Sequence, residues 1–241
     1  MVLSTALMAI AAPHLSLAAS GERLRIVTTH VPPLVIEQGG ELPGALHELV
    51  TEICTRLGHL AQIEFFPWKR AIFLTGQRPK SAIFPLTRLA KREKHFRWLA
   101  QLYEEQYAFL APSGRRFDVR HHERMKNQRI ALLRGSSLTE VLRELGFLNI
   151  VEADSVDEVH RFMSAGMADA AFGEMAIIRS SLLSRAAEQQ FDVGEPVRRT
   201  TAWLAGSLDF TAADAARFQA AMKTMVDDGT HLAILRKYKL S

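Results

Sequence analysis

Read for apolar and polar positions alone, the chain opens with Leu24-Arg25-Ile26-Val27-Thr28-Thr29, an alternation that predicts a strand. The two prolines of His30-Val31-Pro32-Pro33 cannot donate to a ladder, so a loop follows. Residues 44–58 place Ala45, Leu46, Leu49, Val50, Ile53, Cys54 and Leu57 at helical spacing, with Gly58 as the natural C-cap. A strand is predicted at 63–66, a short helix at 68–76 behind Pro67, and a strand at 82–84. Strand, helix, strand, helix, strand implies a parallel sheet with helices packed on it.

Residues 107–111 form a further strand, broken by Pro112-Ser113-Gly114, and there the chain leaves its first unit. The pattern then restarts. A strand at 129–134 turns through Gly135-Ser136-Ser137 into a helix with Leu138, Val141, Leu142 and Leu145 on one face. After a strand at 149–153, Ser155 and Glu158 are spaced as a capping box, opening a helix that carries Val156, Val159, Phe162 and Met163. A strand at 168–172 and a helix at 174–188 follow, and 200–207 leads back into a strand. Thr211 and Asp214 cap a helix through Phe218, Ala221, Met222 and Met225, closed at Gly229, before a last short helix to Tyr238. The order describes two similar α/β units, the second inserted into the first.

The apolar N-terminus is not part of either unit. Residues 1–20 hold no charge, and their apolar run is too short to span a bilayer. Small residues at 16–20 suit signal peptidase, so residues 1–19 are expected to be a cleaved signal peptide, ending at Ala18 or Ala19. The basic residues that usually open such a peptide are missing; a start upstream of Met1 would supply them. The competing reading is a buried N-terminal helix, which Pro13 interrupts. No cysteine follows the run, so no lipid anchor is expected and the mature chain should be soluble in the periplasm.

Composition narrows the rest. Thirty basic residues against 26 acidic ones, a net charge of +4, give a mildly basic surface and no nucleic-acid footprint. The single cysteine, Cys54, excludes an internal disulfide and a multi-cysteine metal site. His121-His122 lies in a basic stretch without a third ligand nearby and reads as a solvated loop, so no metal is expected. There is no phosphate-cradling glycine loop, nucleophile elbow or His-Glu-x-x-His, and no cofactor is expected.

Several short segments, weak singly, gain weight from their order and spacing: Pro32-Pro33; Gly44 before Glu48; Pro67-Trp68-Lys69-Arg70-Ala71; Thr87-Arg88 with Arg92-Glu93-Lys94 and Phe96; Arg134-Gly135-Ser136; Ala168-Asp169-Ala170-Ala171-Phe172; and Asp228-Gly229 before Tyr238. In these the chain is similar to the bacterial extracellular solute-binding protein family 3, the amino-acid-type periplasmic binding proteins, over nearly all of residues 22–239. The resemblance implies a type II periplasmic-binding fold: α/β, two Rossmann-like lobes joined by a two-strand hinge. Residues 22–110 and 202–241 would form lobe 1, and 111–201 lobe 2.

The resemblance also assigns a ligand site. Arg92 would hold a ligand carboxylate with its planar fork; on charge pattern alone it is one of a solvated run from Arg88 to Lys94. Thr87 would donate a hydroxyl, though it also suits a strand-end turn. Phe84, Pro85 and Leu86 would line the pocket through their backbone, and Trp68 would stand at the cleft mouth or in the core. Ser136 and Ser137, at a helix N-terminus, would complete the carboxylate site from lobe 2, a role compatible with plain N-capping. Glu174 stands where the family has an aspartate for the ligand's amino group; it also suits the start of a helix. Val31 stands where many members have an aromatic, and Leu89-Ala90 where the family often has threonine-proline. These departures leave the ligand open between amino acids and other small carboxylates. The implied function is a monomeric receptor, not an enzyme, that closes on a small ligand and delivers it to an ABC-type permease in the inner membrane. The alternatives are a dehydratase-like enzyme on the same fold, or a sensor for a membrane receptor.

Overall fold

The computed structural model describes residues 22–38, 40–136 and 138–240. The expected signal peptide and Ser137 lie outside them. The elements run β1 (Glu22–Thr28), α1 (Ala45–Arg56), β2 (His59–Phe65), α2 (Trp68–Gln77), β3 (Ser81–Thr87), β4 (Arg97–Pro112), β5 (Ile130–Leu133), α3 (Leu138–Glu144), β6 (Ile150–Ala153), α4 (Val156–Ser164), β7 (Ala170–Glu174), α5 (Met175–Ser184), β8 (Phe191–Val193), β9 (Arg198–Gly206), α6 (Ala212–Asp227) and α7 (Thr230–Lys237). The strands follow the order β2-β1-β3-β9-β4-β7-β5-β6, with β8 paired to β4. β1 is parallel to β2 and β3, and β5 is parallel to β6 and β7. The two parallel groups are joined through β4 and β9, which run antiparallel to each other and to their other neighbours.

Apolar burial divides the same way. Leu46, Leu49 and Ile53 of α1, Leu204 of β9 and Phe218 of α6 share one core. Phe109, Leu132, Phe147 and Phe172 share another. β4 serves both: Leu99 and Leu102 belong to the first, Tyr107 and Phe109 to the second. Tyr107 already pairs with Glu174, and Leu110 with both Ala171 and Val193. The outgoing strand therefore crosses between the cores before Tyr107, ahead of the break expected at Pro112. These are two α/β lobes joined by two crossing strands.

Helices with one clean apolar face form where their spacing places them. Strand ends differ from expectation because the partner strand sets them. β2 begins at His59 rather than residue 63, since all seven residues of β1 find a partner between His59 and Phe65. β4 is sixteen residues long; its polar stretch Gln101–Gln106 looks like loop in sequence, yet it is zipped to β9. β3 continues through Pro85 to Thr87 by a register shift between Ile83 and Leu86. α5 ends at Ser184, short of residue 188, and Ala186 at φ 49° lies in the left-handed region behind it. The Ser155 hydroxyl accepts from Glu158 N as expected, but the Glu158 carboxylate accepts from Asp154 N instead of closing the box. The reciprocal box is at α6, between Thr211 and Asp214.

Candidate functional site

A cavity of about 120 Å³ opens where the two lobes face each other. From the first lobe it is lined by Val31 after β1, Trp68 at the start of α2, Pro85 and Thr87 at the end of β3, Arg92, and Glu105 of β4, with Tyr107 just past the crossing. From the second come Ser136, the β7 stretch ending in Glu174, and side chains of α4 and α5. Phe84 and Leu86 do not line it: both are fully buried, in different cores. The register shift in β3 separates them, turning Leu86 to the opposite side of the sheet from Phe84. The Phe84 carbonyl is occupied by the Thr28 hydroxyl at 2.7 Å.

The charged run after β3 is sorted by a single 3-10 turn, Ala90–Arg92. Arg88 and Glu93 form a two-pronged ion pair on the surface. Lys91 reaches across the gap to Glu140 of α3. Arg92 alone turns inward and is only 8% exposed. Its guanidinium donates to the Thr87 carbonyl at 3.0 Å, and among the described residues it has no carboxylate partner. Burial lowers its pKa, because the charged form loses hydration. The Glu140 and Glu105 carboxylates act on it only from beyond salt-bridge distance, so its buried charge is incompletely compensated, and an incoming anion would recover part of that cost.

Around it lies a network that the sequence reading missed. The Thr87 hydroxyl donates to Glu105 Oε2 at 3.1 Å and lies 3.4 Å from the Tyr107 hydroxyl. Glu105 is fully enclosed, and burial, reinforced by the nearby Glu174 charge, pushes its carboxyl up to about 8. The available signal was the alternation Tyr103-Glu104-Glu105-Gln106-Tyr107, which fits a strand with every second side chain turned in. Glu174 is the N-cap of α5: its Oε2 accepts from Ile177 N at 2.9 Å, while Oε1 is buried without a hydrogen-bond partner. Burial raises its carboxyl to about 7, against the backbone N–H groups that favour the charged form.

The second lobe meets the first closely. A Cβ on Gly135 would lie 3.2 Å from Lys69 Cβ, so the turn before α3 rests on the start of α2. Ser136 N donates to the Leu133 carbonyl and Ser136 Oγ accepts from Leu138 N at 3.1 Å. The expected anion-binding N–H at this position is thus already used. What Ser136 retains toward the cavity is its hydroxyl proton.

Two carboxyls raised by burial make stability depend on pH in an unusual direction. The unfolded chain ionises both in the ordinary carboxylate range, whereas the folded protein keeps their protons up to about 7 and about 8. Above that ordinary range the folded state holds more protons, so stability falls as pH rises. Denaturant unfolding of the ligand-free protein should lose about 1 to 2 kcal/mol between about pH 7 and about pH 8.5. Glu105→Gln should remove most of that slope; an unchanged slope would refute the assignment to Glu105.

No family model matches the chain, and no curated protein matches it. Solved structures do. A histidine kinase sensor domain with similarity to periplasmic binding proteins superposes at a TM-score of 0.81 and 18% identity, over 90% of this chain and 96% of that one. An arginine 3rd transport system periplasmic binding protein from Legionella pneumophila gives 0.79 at 16% identity, over 90% and 99%. The GluR0 ligand-binding core from Nostoc punctiforme, in complex with L-glutamate, gives 0.78 at 16%, over 90% and 100%. At such identities the likeness carries the fold: two α/β lobes of the type II periplasmic-binding kind, joined by two strands.

Proposed function

We propose that this chain is a periplasmic solute-binding protein that captures a small amino-acid-like or other carboxylate-bearing ligand between its lobes and presents it to an ABC-type permease. The observation that carries this reading is Arg92: a buried guanidinium, facing the interlobe cavity, with no carboxylate within salt-bridge distance among the described residues. Its free N–H groups suit a carboxylate. Thr87 and Ser136 supply hydroxyls from opposite walls, and the unpartnered Glu174 Oε1 suits a ligand ammonium. Trp68 and Val31 wall the first-lobe side. Lobe 1 would comprise residues 22–106 with 202–240, and lobe 2 the segment between. Residues 1–19 would be a signal peptide, and the mature protein a monomer.

Binding rather than catalysis is the reading the site supports, since its titratable groups are engaged in capping or in the Thr87 network. The likeness to a sensor domain favours a second use of the same closure, as a signal to a membrane receptor. Loss of ligand uptake on deletion of the chain's gene would favour transport; loss of a transcriptional response with uptake intact would favour sensing.

The test is a thermal-shift screen of the purified protein against amino acids and small carboxylates. At least one should raise Tm in a concentration-dependent way. No shift with any member of either class would overturn the proposal. Closure itself can be probed at the Lys91–Glu140 pair, whose side chains are each about half exposed. Lys91→Ala should weaken ligand binding only about two- to fivefold, the effect of an exposed ion pair of up to about 1 kcal/mol. Isothermal titration at low and high salt would check it, the gap between variant and wild type closing as salt rises.

A further inference from the structure

We propose that the ligand carries a small aliphatic side chain, received at the second-lobe end of the cavity; this rests on the carboxylate reading of Arg92. Arg92, Glu105 and Glu174, the Arg, Asp, Glu and Lys side chains among its lining residues, all stand at one end of the cavity. Pairing of β4 with β7 sets Glu174 against Tyr107 at the Arg92 end and Ala171 against Leu110 further in. Those two levels lie about 10 Å apart along the strands. At the far level the walls are Leu110, Leu132, Val156, Val159, Ala171 and Ile178, from three strands and two helices.

Two polar side chains share that end, His160 and Ser181, and they satisfy each other. Ser181 Oγ donates to the Ile178 carbonyl at 2.8 Å and lies 2.9 Å from His160 Nε2. With the hydroxyl proton given to the carbonyl, the imidazole donates through Nε2 to the serine oxygen. Burial lowers the His160 pKa, which keeps the ring neutral. Among the described residues no acid lines the far end: Asp157 is exposed and paired with Arg185. A cationic side chain would arrive there without a counter-charge, and an anionic one without a donor to spare, each at a high desolvation penalty. An aliphatic group meets only its own kind. Size limits that group: the whole cavity measures about 120 Å³, less than the apolar cavity of about 150 Å³ that holds one benzene ring, so a long side chain does not fit beside the carboxylate.

Titration calorimetry on the full chain with L-valine, L-leucine, L-isoleucine, L-arginine, L-lysine and L-glutamate tests this. At least one aliphatic amino acid should bind on the order of tenfold tighter than any charged one. Val159→Ala, which enlarges the far end, should shift preference from valine toward leucine. Val159→Glu should weaken the aliphatic ligands and bring in arginine or lysine. Tighter binding of a charged amino acid by the wild type would overturn the inference and leave the carboxylate site standing. So would a Val159→Ala variant that folds and keeps the wild-type order of affinities. An aliphatic ligand whose affinity survives Arg92→Ala would instead sink the carboxylate site, and silence from all six together with desamino carboxylates would overturn both.

Discussion

Arg92→Ala is expected to abolish ligand-induced thermal stabilisation while leaving a folded protein. Its guanidinium is buried at the interlobe cavity with no carboxylate within salt-bridge distance among the described residues. Truncating one partner of a buried, hydrogen-bonded charge pair costs about 2 to 5 kcal/mol of binding, so affinity should fall by a hundredfold or thereabouts, ~3 kcal/mol. Two further variants separate charge from shape. Arg92→Lys keeps the charge but loses the planar fork, and should retain only a fraction of the affinity. Arg92→Met removes an incompletely compensated buried charge and keeps volume, so the ligand-free protein should be as stable as the wild type or more so. Titration calorimetry and denaturant unfolding read the two effects apart. Full affinity in a folded Arg92→Ala protein would leave the proposed pocket without its anchor.

The second large effect is on the scaffold. Gly44 sits at φ 104°, ψ 149°, a backbone region in which an L side chain is strained, directly before α1. A Cβ there would lie 2.6 Å from the Leu34 carbonyl oxygen and 2.7 Å from Val35 Cα. Both are main-chain atoms, and the Leu34 carbonyl also accepts from Leu46 N, so neither can give way cheaply. The same turn carries Val31 and Leu34 to the cavity wall. Gly44→Ala should destabilise the protein by about 3 kcal/mol or more, combining backbone strain with the clash. Gly76 is the control: it lies within α2 and a Cβ there meets nothing within 4 Å. Gly76→Ala should be neutral or stabilising by up to about 1 kcal/mol. A Gly44→Ala protein within about 0.5 kcal/mol of wild type would mean that the close approach is not real.

How far each element could be read in advance depended on where its partners lie. α1 and α6 were legible because an amphipathic helix records its own buried face: Leu46, Leu49, Val50 and Ile53 are all fully buried, as their spacing required. The first half of β4 was not, because Gln101, Glu104 and Gln106 say nothing of the strand across from them, and β9 is about a hundred positions away. The same holds in the site. Arg92 was singled out by motif position, but its charged run gave no sign of which side chain would turn inward; a 3-10 turn decided that. Glu105 passed unnoticed, since its enclosure comes from β3, β7 and the second lobe together.

The linear order of residues determined the amphipathic helices, the apolar strands beside them and the alternation of two α/β units, since these follow from periodicities within a few residues. Only the folded molecule decided that β4 and β9 cross between the units, that Phe84 and Leu86 belong to cores while Pro85 faces the cavity, and that Arg92 has no carboxylate within salt-bridge distance among the described residues. Burial and charge compensation are set by groups far apart along the chain, and those distances are resolved only when both lobes close around the same space.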